Sequence, residues 1–278
     1  MFLTVNKEDK LLMILNIKKI GKDHVIIFST LVTIITLIIS SLFNWDSNPI
    51  TGTDKLVGDI LITLFCLVLI YILDIGKTAG FCKAGFVKGL ACGIPFIIIG
   101  ICAAIISNIG SNLAQLKPIS LLSILMFTIN MLFVGINEEI SMRSLILNNL
   151  ICKYGENKNG LYKAIFISST IFGAIHLVNI FFISPVTVVV QAINAASAGV
   201  LFAAIYICSK NIWAGIIIHA LVDWIALFIG QCFVGGASVL SIEMTIGQGA
   251  VMILLGSLPP LIIAILFINS KLKKMGSM

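Results

Sequence analysis

Two adjacent carboxylates at the end of an apolar run are the first residues of this chain whose types could do chemistry. Glu138 and Glu139 follow the run from Leu121 to Ile136, which places ionisable groups inside or at the edge of a membrane span, where they are costly and usually functional. Arg143 is the only arginine among 18 basic residues and lies four residues after Glu139, on the same helical face. Its guanidinium can hold a carboxylate in a planar two-point contact that an ammonium cannot make. Two interpretations stay open: a catalytic carboxylate pair, or a salt bridge that anchors a helix end.

Two of the three histidines lie inside later apolar stretches, each with a partner four residues away. His176 follows Phe172, and Asp223 follows His219, so each pair shares one helical face. A single intramembrane histidine is usually a packing residue, but three such pairs on three helices would each need a partner within lipid. We therefore predict one shared polar site, built from Glu138, Glu139, Arg143, His176, His219 and Asp223.

These residue types permit two kinds of hydrolytic chemistry. A glutamate can act as general base on a water molecule, while imidazoles orient that water or stabilise an oxyanion. With one arginine nearby, two adjacent glutamates can divide the roles, one ion-paired and one free to take a proton. Alternatively, zinc or another divalent metal could be bound by an oxygen and nitrogen ligand set. That candidate metal set consists of Glu138, His176, His219 and Asp223.

The composition is that of a polytopic membrane protein. Of 278 residues, 59% are hydrophobic and 11% charged, against about 25% charged in soluble domains. The net charge of +6 does not indicate nucleic-acid binding, because the lysines lie in short segments between apolar stretches. The seven cysteines form no CxxC pair, so they predict neither disulfides nor a zinc cluster. The expected surroundings are membrane lipid, with no nucleic-acid partner.

Eight apolar stretches are each long enough to cross a bilayer, which predicts an all-α fold of about eight transmembrane helices. They lie at roughly 25–43, 57–74, 89–107, 119–136, 162–182, 186–208, 212–230 and 249–269. Residues 1–24 form a cytoplasmic N-terminal segment, read either as an interfacial helix or as a basic tail. Residues 25–270 form a single transmembrane domain with the motifs in 138–223, and residues 271–278 form a cytoplasmic tail.

Lysine placement predicts the orientation. Sixteen basic residues fall on inner segments, and the outer loops hold only Lys55 and Lys117, so both termini should be cytoplasmic and the polar cavity should open to the cytoplasm. The motifs can meet only if the fifth span begins well inside the cytoplasm or the fourth is set deep. We predict the former, with residues 160–165 helical. Glycines 85, 89 and 93 further predict close helix packing at the start of the third span.

The three motifs together resemble the signature of a known family. Glu138-Glu139-x-x-x-Arg143, Phe172-x-x-x-His176 and His219-x-x-x-Asp223 are similar to those of the CAAX protease and bacteriocin-processing (CPBP, or Abi) family of intramembrane endopeptidases. The eukaryotic Ras-converting endopeptidase is a member of that family. The resemblance implies an all-helical fold that hydrolyses peptide bonds.

The resemblance also implies a role for each motif residue. Glu138 would activate the water with help from His176, whereas His219 and the residue at 223 would stabilise the oxyanion. Glu139 and Arg143 would give structural support, and Phe172 would pack. Eukaryotic members carry asparagine at the last position, where this chain has Asp223. A carboxyl group donates a hydrogen bond only when protonated, so this departure favours metal binding or a proton-sharing pair.

Three functions are compatible with the sequence. The first is an intramembrane endopeptidase, for which the resemblance implies peptide or lipidated-peptide substrates: prenylated CAAX ends in eukaryotes, and bacteriocin or signal peptides, with processing or immunity as the outcome, in bacteria. The lysine-, isoleucine- and asparagine-rich usage favours a bacterial cell membrane. The alternatives are a non-catalytic scaffold that binds a partner protein, and a transporter or proton relay. Gln191 and Asn194 would line the route of a transporter, bind a substrate backbone, or simply pack helices.

Overall fold

The computed structural model describes residues 6–43, 52–109, 115–236 and 243–276. The predicted N-terminal segment and C-terminal tail are therefore described except for residues 1–5 and 277–278, which lie outside these ranges. The chain is helical almost throughout the described ranges, as predicted. Its α-helices are α1 (Lys7–Asp23), α2 (Val25–Leu42), α3 (Thr53–Leu73), α4 (Phe86–Ser107), α5 (Leu121–Glu139), α6 (Asn148–Tyr154), α7 (Lys158–Ile175), α8 (Pro185–Ser209), α9 (Ile212–Cys232) and α10 (Ile246–Gly276).

Eight helical segments within the described residues are long and apolar enough to cross a membrane, which confirms the predicted all-α polytopic fold. Their bounds differ from the predicted ones by a few residues in most cases, and two of the differences bear on the site. The second span begins at Thr53, so Lys55 lies inside α3 rather than in an outer loop. The fourth runs from Leu121 to Tyr154 as one segment of 34 residues, well beyond the predicted end at residue 136.

The long fourth segment changes its helical form immediately after the glutamate pair. A π-helix, Ile140–Leu147, joins α5 to α6 without a break. Residues 139–151 are all buried, and some of their polar side chains have hydrogen-bond partners in other segments. Ser144 Oγ donates to the Ala79 carbonyl at 2.7 Å, and Asn149 Nδ2 donates to the Gly21 carbonyl at 3.0 Å. The interior of the protein, rather than lipid, surrounds this part of the chain.

The positions of the glutamate pair and of His176 along their helical segments are compatible with a shared site. Residues 160–165 are helical within α7, as predicted. Glu139 lies 15 residues before the end of the fourth segment at Tyr154, a rise of about 20 Å. His176 lies at the end of α7, 18 residues after Lys158. Both motifs thus lie well inside their segments, and the position of each span relative to the cytoplasm stays a prediction.

Helices α5 and α9 form the frame of the site. They run antiparallel, and one end of the pair is closed by two short strands, β1 (Lys117–Pro118) and β2 (Phe233–Val234), which pair antiparallel. On its other side α9 packs against α4. There, a Cβ at Gly89 or Gly93 would clash with Ala214 or Ile218, which confirms the predicted role of these glycines in close packing. Helix α8 completes the frame of the site, and it packs against both α7 and α10.

Candidate active site

Glu139 is the most deeply buried acidic residue of the predicted site. Its side chain is 1% exposed, and both of its charged neighbours contact the same oxygen. Arg143 Nη1 lies 3.3 Å from Oε1, and His219 Nδ1 lies 2.8 Å from Oε1. Since a carboxylate oxygen accepts, Nδ1 of His219 is the donor in that hydrogen bond. Glu139 therefore ties the π-helical segment to α9.

Arg143 is held chiefly by its charge and its flat surface. Its guanidinium carbon lies 4.7 Å from the ring centroid of Phe172 and 5.0 Å from that of Phe202, which is the geometry of cation–π contacts. Neither Nη1 nor Nη2 has a hydrogen-bond acceptor within the described residues. The ion pair with Glu139 and the two aromatic rings together account for its position.

His219 lies at the centre of the site and uses both ring nitrogens. Its ring stacks on Phe202 with centroids 4.6 Å apart and an interplanar angle of 18°. While Nδ1 contacts Glu139, Nε2 lies 3.4 Å from Glu138 Oε2 and 3.5 Å from Asp223 Oδ2. One imidazole ring thus lies within 3.5 Å of carboxylate oxygens from Glu138, Glu139 and Asp223.

The two adjacent glutamates differ sharply in access. The side chain of Glu138 is 30% exposed and that of Asp223 is 33% exposed, against 1% for Glu139 and 6% for His219. The site therefore has a fixed, buried side and an accessible side. A water molecule or a peptide can approach only the accessible side, which presents Glu138, Asp223 and Nε2 of His219.

His176 joins the site through an aromatic ring. It begins the 3₁₀ helix His176–Phe181 that follows α7, and its Nδ1 donates to the carbonyl of Phe172 at 2.9 Å. The Phe172 ring centroid lies 5.3 Å from that of His176 and 6.0 Å from that of His219, so the two imidazole rings are within roughly 11 Å of each other. With Nδ1 acting as a donor, Nε2 of a neutral His176 is free to accept a hydrogen bond.

The donor atoms of the candidate metal set are not gathered at one point. No group of three or more His, Cys, Asp or Glu residues is arranged to hold a metal ion anywhere in the part of the chain that the structure describes. The Phe172 ring contacts both His176 and His219. The metal-dependent alternative therefore stays a prediction, and no chemical step below depends on it.

Local backbone features allow the close contacts of the site. A Cβ at Gly215 would lie 3.1 Å from Glu139 Oε2, so a glycine lets the α9 backbone pass against that carboxylate. The π-helix starts directly after Glu139, and its wider turn changes the angular spacing of the residues that follow. Short π segments are frequent at functional sites for this reason.

Some residues next to the site were missed by sequence reasoning. Asp59 of α3 is buried and accepts a hydrogen bond from Asn137 Nδ2 at 2.9 Å. Asn137 directly precedes Glu138 in the chain. Lys55 forms an ion pair with Asp59 at 3.1 Å. An aspartate inside an apolar span was the available signal for Asp59, whereas Phe202 is one aromatic residue among many and gave none.

This combination of fold and site defines a class. A buried Glu–Arg–His cluster beside an accessible glutamate, within eight apolar helices, is suited to acid–base chemistry inside a membrane. Residues 120–225 match the model of a protein family, the type II CAAX prenyl endopeptidase Rce1-like family. The matched range includes every predicted site residue. This match confirms the predicted resemblance and supports the CPBP family of CAAX proteases, a family of peptide hydrolases. No curated protein and no solved structure matches the chain.

Proposed function

We propose that this protein is an intramembrane endopeptidase that cleaves a membrane-associated peptide with a water molecule activated by Glu138. The observation that carries the proposal is the difference in burial and contacts between the two adjacent carboxylates. Glu139 is buried and held by Arg143 and His219, while Glu138 is 30% exposed and contacts His219 only at 3.4 Å. A general base must reach water and keep an oxygen free for its proton, and of the two only Glu138 meets both conditions.

The charge balance supports an extra proton on the accessible side of the site. Three carboxylates and one guanidinium leave two negative charges in excess when His219 is neutral. Excess charge inside a membrane protein is costly, so we infer a proton shared between His219 and Asp223. Located on Nε2 of His219 or on Asp223, it supplies the hydrogen-bond donor that an oxyanion needs. Asp223 can then do what asparagine would do at this position.

The proposed reaction uses these groups in sequence. Glu138 accepts a proton from water while the water oxygen bonds to the carbonyl carbon of the scissile peptide, and Nε2 of His176 can accept a hydrogen bond from the same water. The carbonyl oxygen becomes an oxyanion beside Nε2–H of His219. The proton on Glu138 then passes to the amide nitrogen as the carbon–nitrogen bond breaks. The products are one peptide with a new carboxyl end and one with a new amino end.

The substrate class that we propose is a peptide with an apolar or lipidated end. The site lies along the membrane-spanning helices, where a soluble peptide would have little access. The matched family is one of CAAX prenyl endopeptidases, which is consistent with a lipidated peptide end. Bacteriocin and signal peptide precursors share the apolar character and remain within the proposal.

The first test identifies a substrate without assuming one. Peptides released by cells that carry the wild-type protein or Glu138→Gln are compared by mass spectrometry at matched expression. Glutamine keeps the size and removes the base, so a defined peptide should disappear or its precursor accumulate. Glu156→Gln is the matched control, because Glu156 is an exposed glutamate in the loop between α6 and α7. Identical profiles for wild type and Glu138→Gln would refute the proposal and favour a scaffold.

A second test uses purified protein in liposomes with a farnesylated peptide that ends in a CAAX sequence, and with the same peptide unprenylated. We expect cleavage by wild type and a loss of at least about a hundredfold for Glu138→Gln, in the range of a missing general base. A chelator arm addresses the metal alternative. Activity that is lost with chelator and restored by Zn²⁺ would favour the ligand set of Glu138, His176, His219 and Asp223 over the proposed mechanism.

A further inference from the structure

A charged pair on α3, outside the three motifs, contacts the residue that precedes the proposed base through its buried member, Asp59. Asp59 is 4% exposed and lies inside a membrane-spanning helix, where an ionisable group needs a partner. One oxygen accepts from Asn137 Nδ2 at 2.9 Å, and the other accepts from Lys55 Nζ at 3.1 Å. Both carboxylate oxygens are thus used, one within α3 and one across to α5.

A second contact fixes the register of the same two helices. Asn130 Nδ2 of α5 donates to the Gly52 carbonyl at the start of α3 at 3.2 Å. Gly52 precedes Asp59 by seven residues, and Asn130 precedes Asn137 by seven residues. The two contacts are therefore two helical turns apart on both helices. Helices α3 and α5 run parallel along this stretch, with side-chain hydrogen bonds at both of its ends.

The contact between Asn137 and Asp59 lies near the C-terminal end of α5, just before the π-helix. Successive residues of a helix point about 100° apart, so Asn137 faces α3 while Glu138 faces His219 of α9. Two residues further on, the π-helix begins at Ile140 and the regular α-helical hydrogen bonds end. The hydrogen bond from Asn137 to Asp59 fixes the rotation of α5 at its last regular turn, and with it the direction of Glu138.

We propose that Asp59, held by Lys55, is a positioning residue that orients Glu138 through Asn137. This inference rests on the proposed function, because it assigns a task to a residue that acts through the base. A small rotation of α5 would move the Glu138 carboxylate away from Nε2 of His219 and from the attacking water. Misplacement by about 1 Å can lower a rate about a hundredfold.

The kinetic test separates positioning from general damage to the fold. With the farnesylated peptide in liposomes, Asp59→Ala should lower kcat by about 10- to 100-fold while KM stays within about threefold. Asp54→Asn is the matched control, since Asp54 is an exposed aspartate in the first turn of the same helix, and it should match wild type. A kcat for Asp59→Ala within threefold of wild type would overturn the inference.

An exchange of the two side chains tests the contact itself. Asn137→Asp alone opposes two carboxylates and should lower kcat by at least about tenfold, whereas adding Asp59→Asn restores a donor and an acceptor and should recover that loss. A double variant no better than Asn137→Asp would contradict the proposal. The kcat values of the single and the double variant are compared directly with each other, in preparations that are equally monodisperse in detergent.

A spectroscopic readout makes the inference independent of the substrate. In protein labelled with ¹⁵N-histidine, the Nε2 signal of His219, assigned with His219→Gln, reports its contact with Glu138. Asp59→Ala should shift that signal and leave Nδ1, which is bonded to Glu139, almost unchanged. An unshifted Nε2 signal refutes the positioning role. If wild type cleaves no peptide, the proposed function fails, while this signal still decides whether Asp59 positions Glu138.

Discussion

Replacement of Arg143 by alanine should destabilise the protein by far more than the loss of a surface charge. The side chain is 3% exposed and lies between Phe172 and Phe202 at 4.7 and 5.0 Å. Removing it leaves Glu139, 1% exposed, with His219 as its remaining charged neighbour. Breaking a buried pair from one side costs about 3–5 kcal/mol. Arg143→Lys keeps a positive charge that can still pair with Glu139 and face the two rings, so it should lose less than Arg143→Ala.

The measurement is the free energy of unfolding, from reversible denaturation in mixed micelles followed by circular dichroism. Lys163→Ala is the matched control, because Lys163 makes a cation–π contact with Tyr154 at 4.1 Å but is exposed. An exposed contact of this kind contributes about 0.5–1 kcal/mol. The combined variant Glu139→Gln with Arg143→Met should be more stable than Arg143→Ala, because it leaves no unpaired buried charge. Equal losses for Arg143→Ala and Lys163→Ala would refute this account of the buried pair.

Two further predictions concern Glu139 and the loop charges. Gly215→Ala should lower peptide cleavage by about tenfold, because its Cβ would approach Glu139 Oε2 to 3.1 Å and that oxygen belongs to a carboxylate already fixed by its partners; unchanged cleavage would show that the carboxylate can move without consequence. The hydrogen bond from Lys210 at 2.8 Å holds the pKa of Glu156 below its ordinary value. The pair therefore stabilises the fold above the unfolded pKa, and this contribution is lost as pH falls through the lower, folded pKa. Both groups are exposed, so Glu156→Gln should change the unfolding free energy at pH 7 by less than about 1 kcal/mol, and a larger change in the same unfolding assay would contradict the pairing.

Much of the fold and part of the site followed from periodicity and hydropathy. Spacing of four residues put His219 and Asp223 on one face, and the structure brings them to 3.5 Å. Hydropathy placed the end of the fourth span at residue 136 because it measures contact with lipid, whereas the chain after Glu139 is buried in protein. Polar residues such as Ser144 and Asn149 interrupt the apolar run there, yet each has a tertiary partner. The apolar run in the sequence therefore ends earlier than the helical segment in the structure.

The π-helix and the α3 contact could not be predicted for a different reason. A π-helix depends on how neighbouring segments pack, and the residues of 140–147 would fit an ordinary α-helix. No partner for Asp59 could be named from the sequence, because Asn137 is 78 positions away. Pairing across such a distance is set by topology, which a single sequence does not reveal. Only the cost of a buried aspartate pointed to some partner.

The imidazole ring of His219 separates a fixed side of the site from an accessible side on which the proposed reaction takes place. On its Nδ1 side, His219 is bonded to Glu139, which Arg143 and the aromatic rings keep in place. On its Nε2 side, it faces Glu138 and Asp223, which remain partly exposed. Groups that are preorganised in this way need not rearrange when charge develops, which is the main source of electrostatic stabilisation in a reaction. If the proposed peptidase activity is correct, substitutions on the Nδ1 side should impair both stability and turnover, whereas substitutions at Glu138 should impair turnover alone.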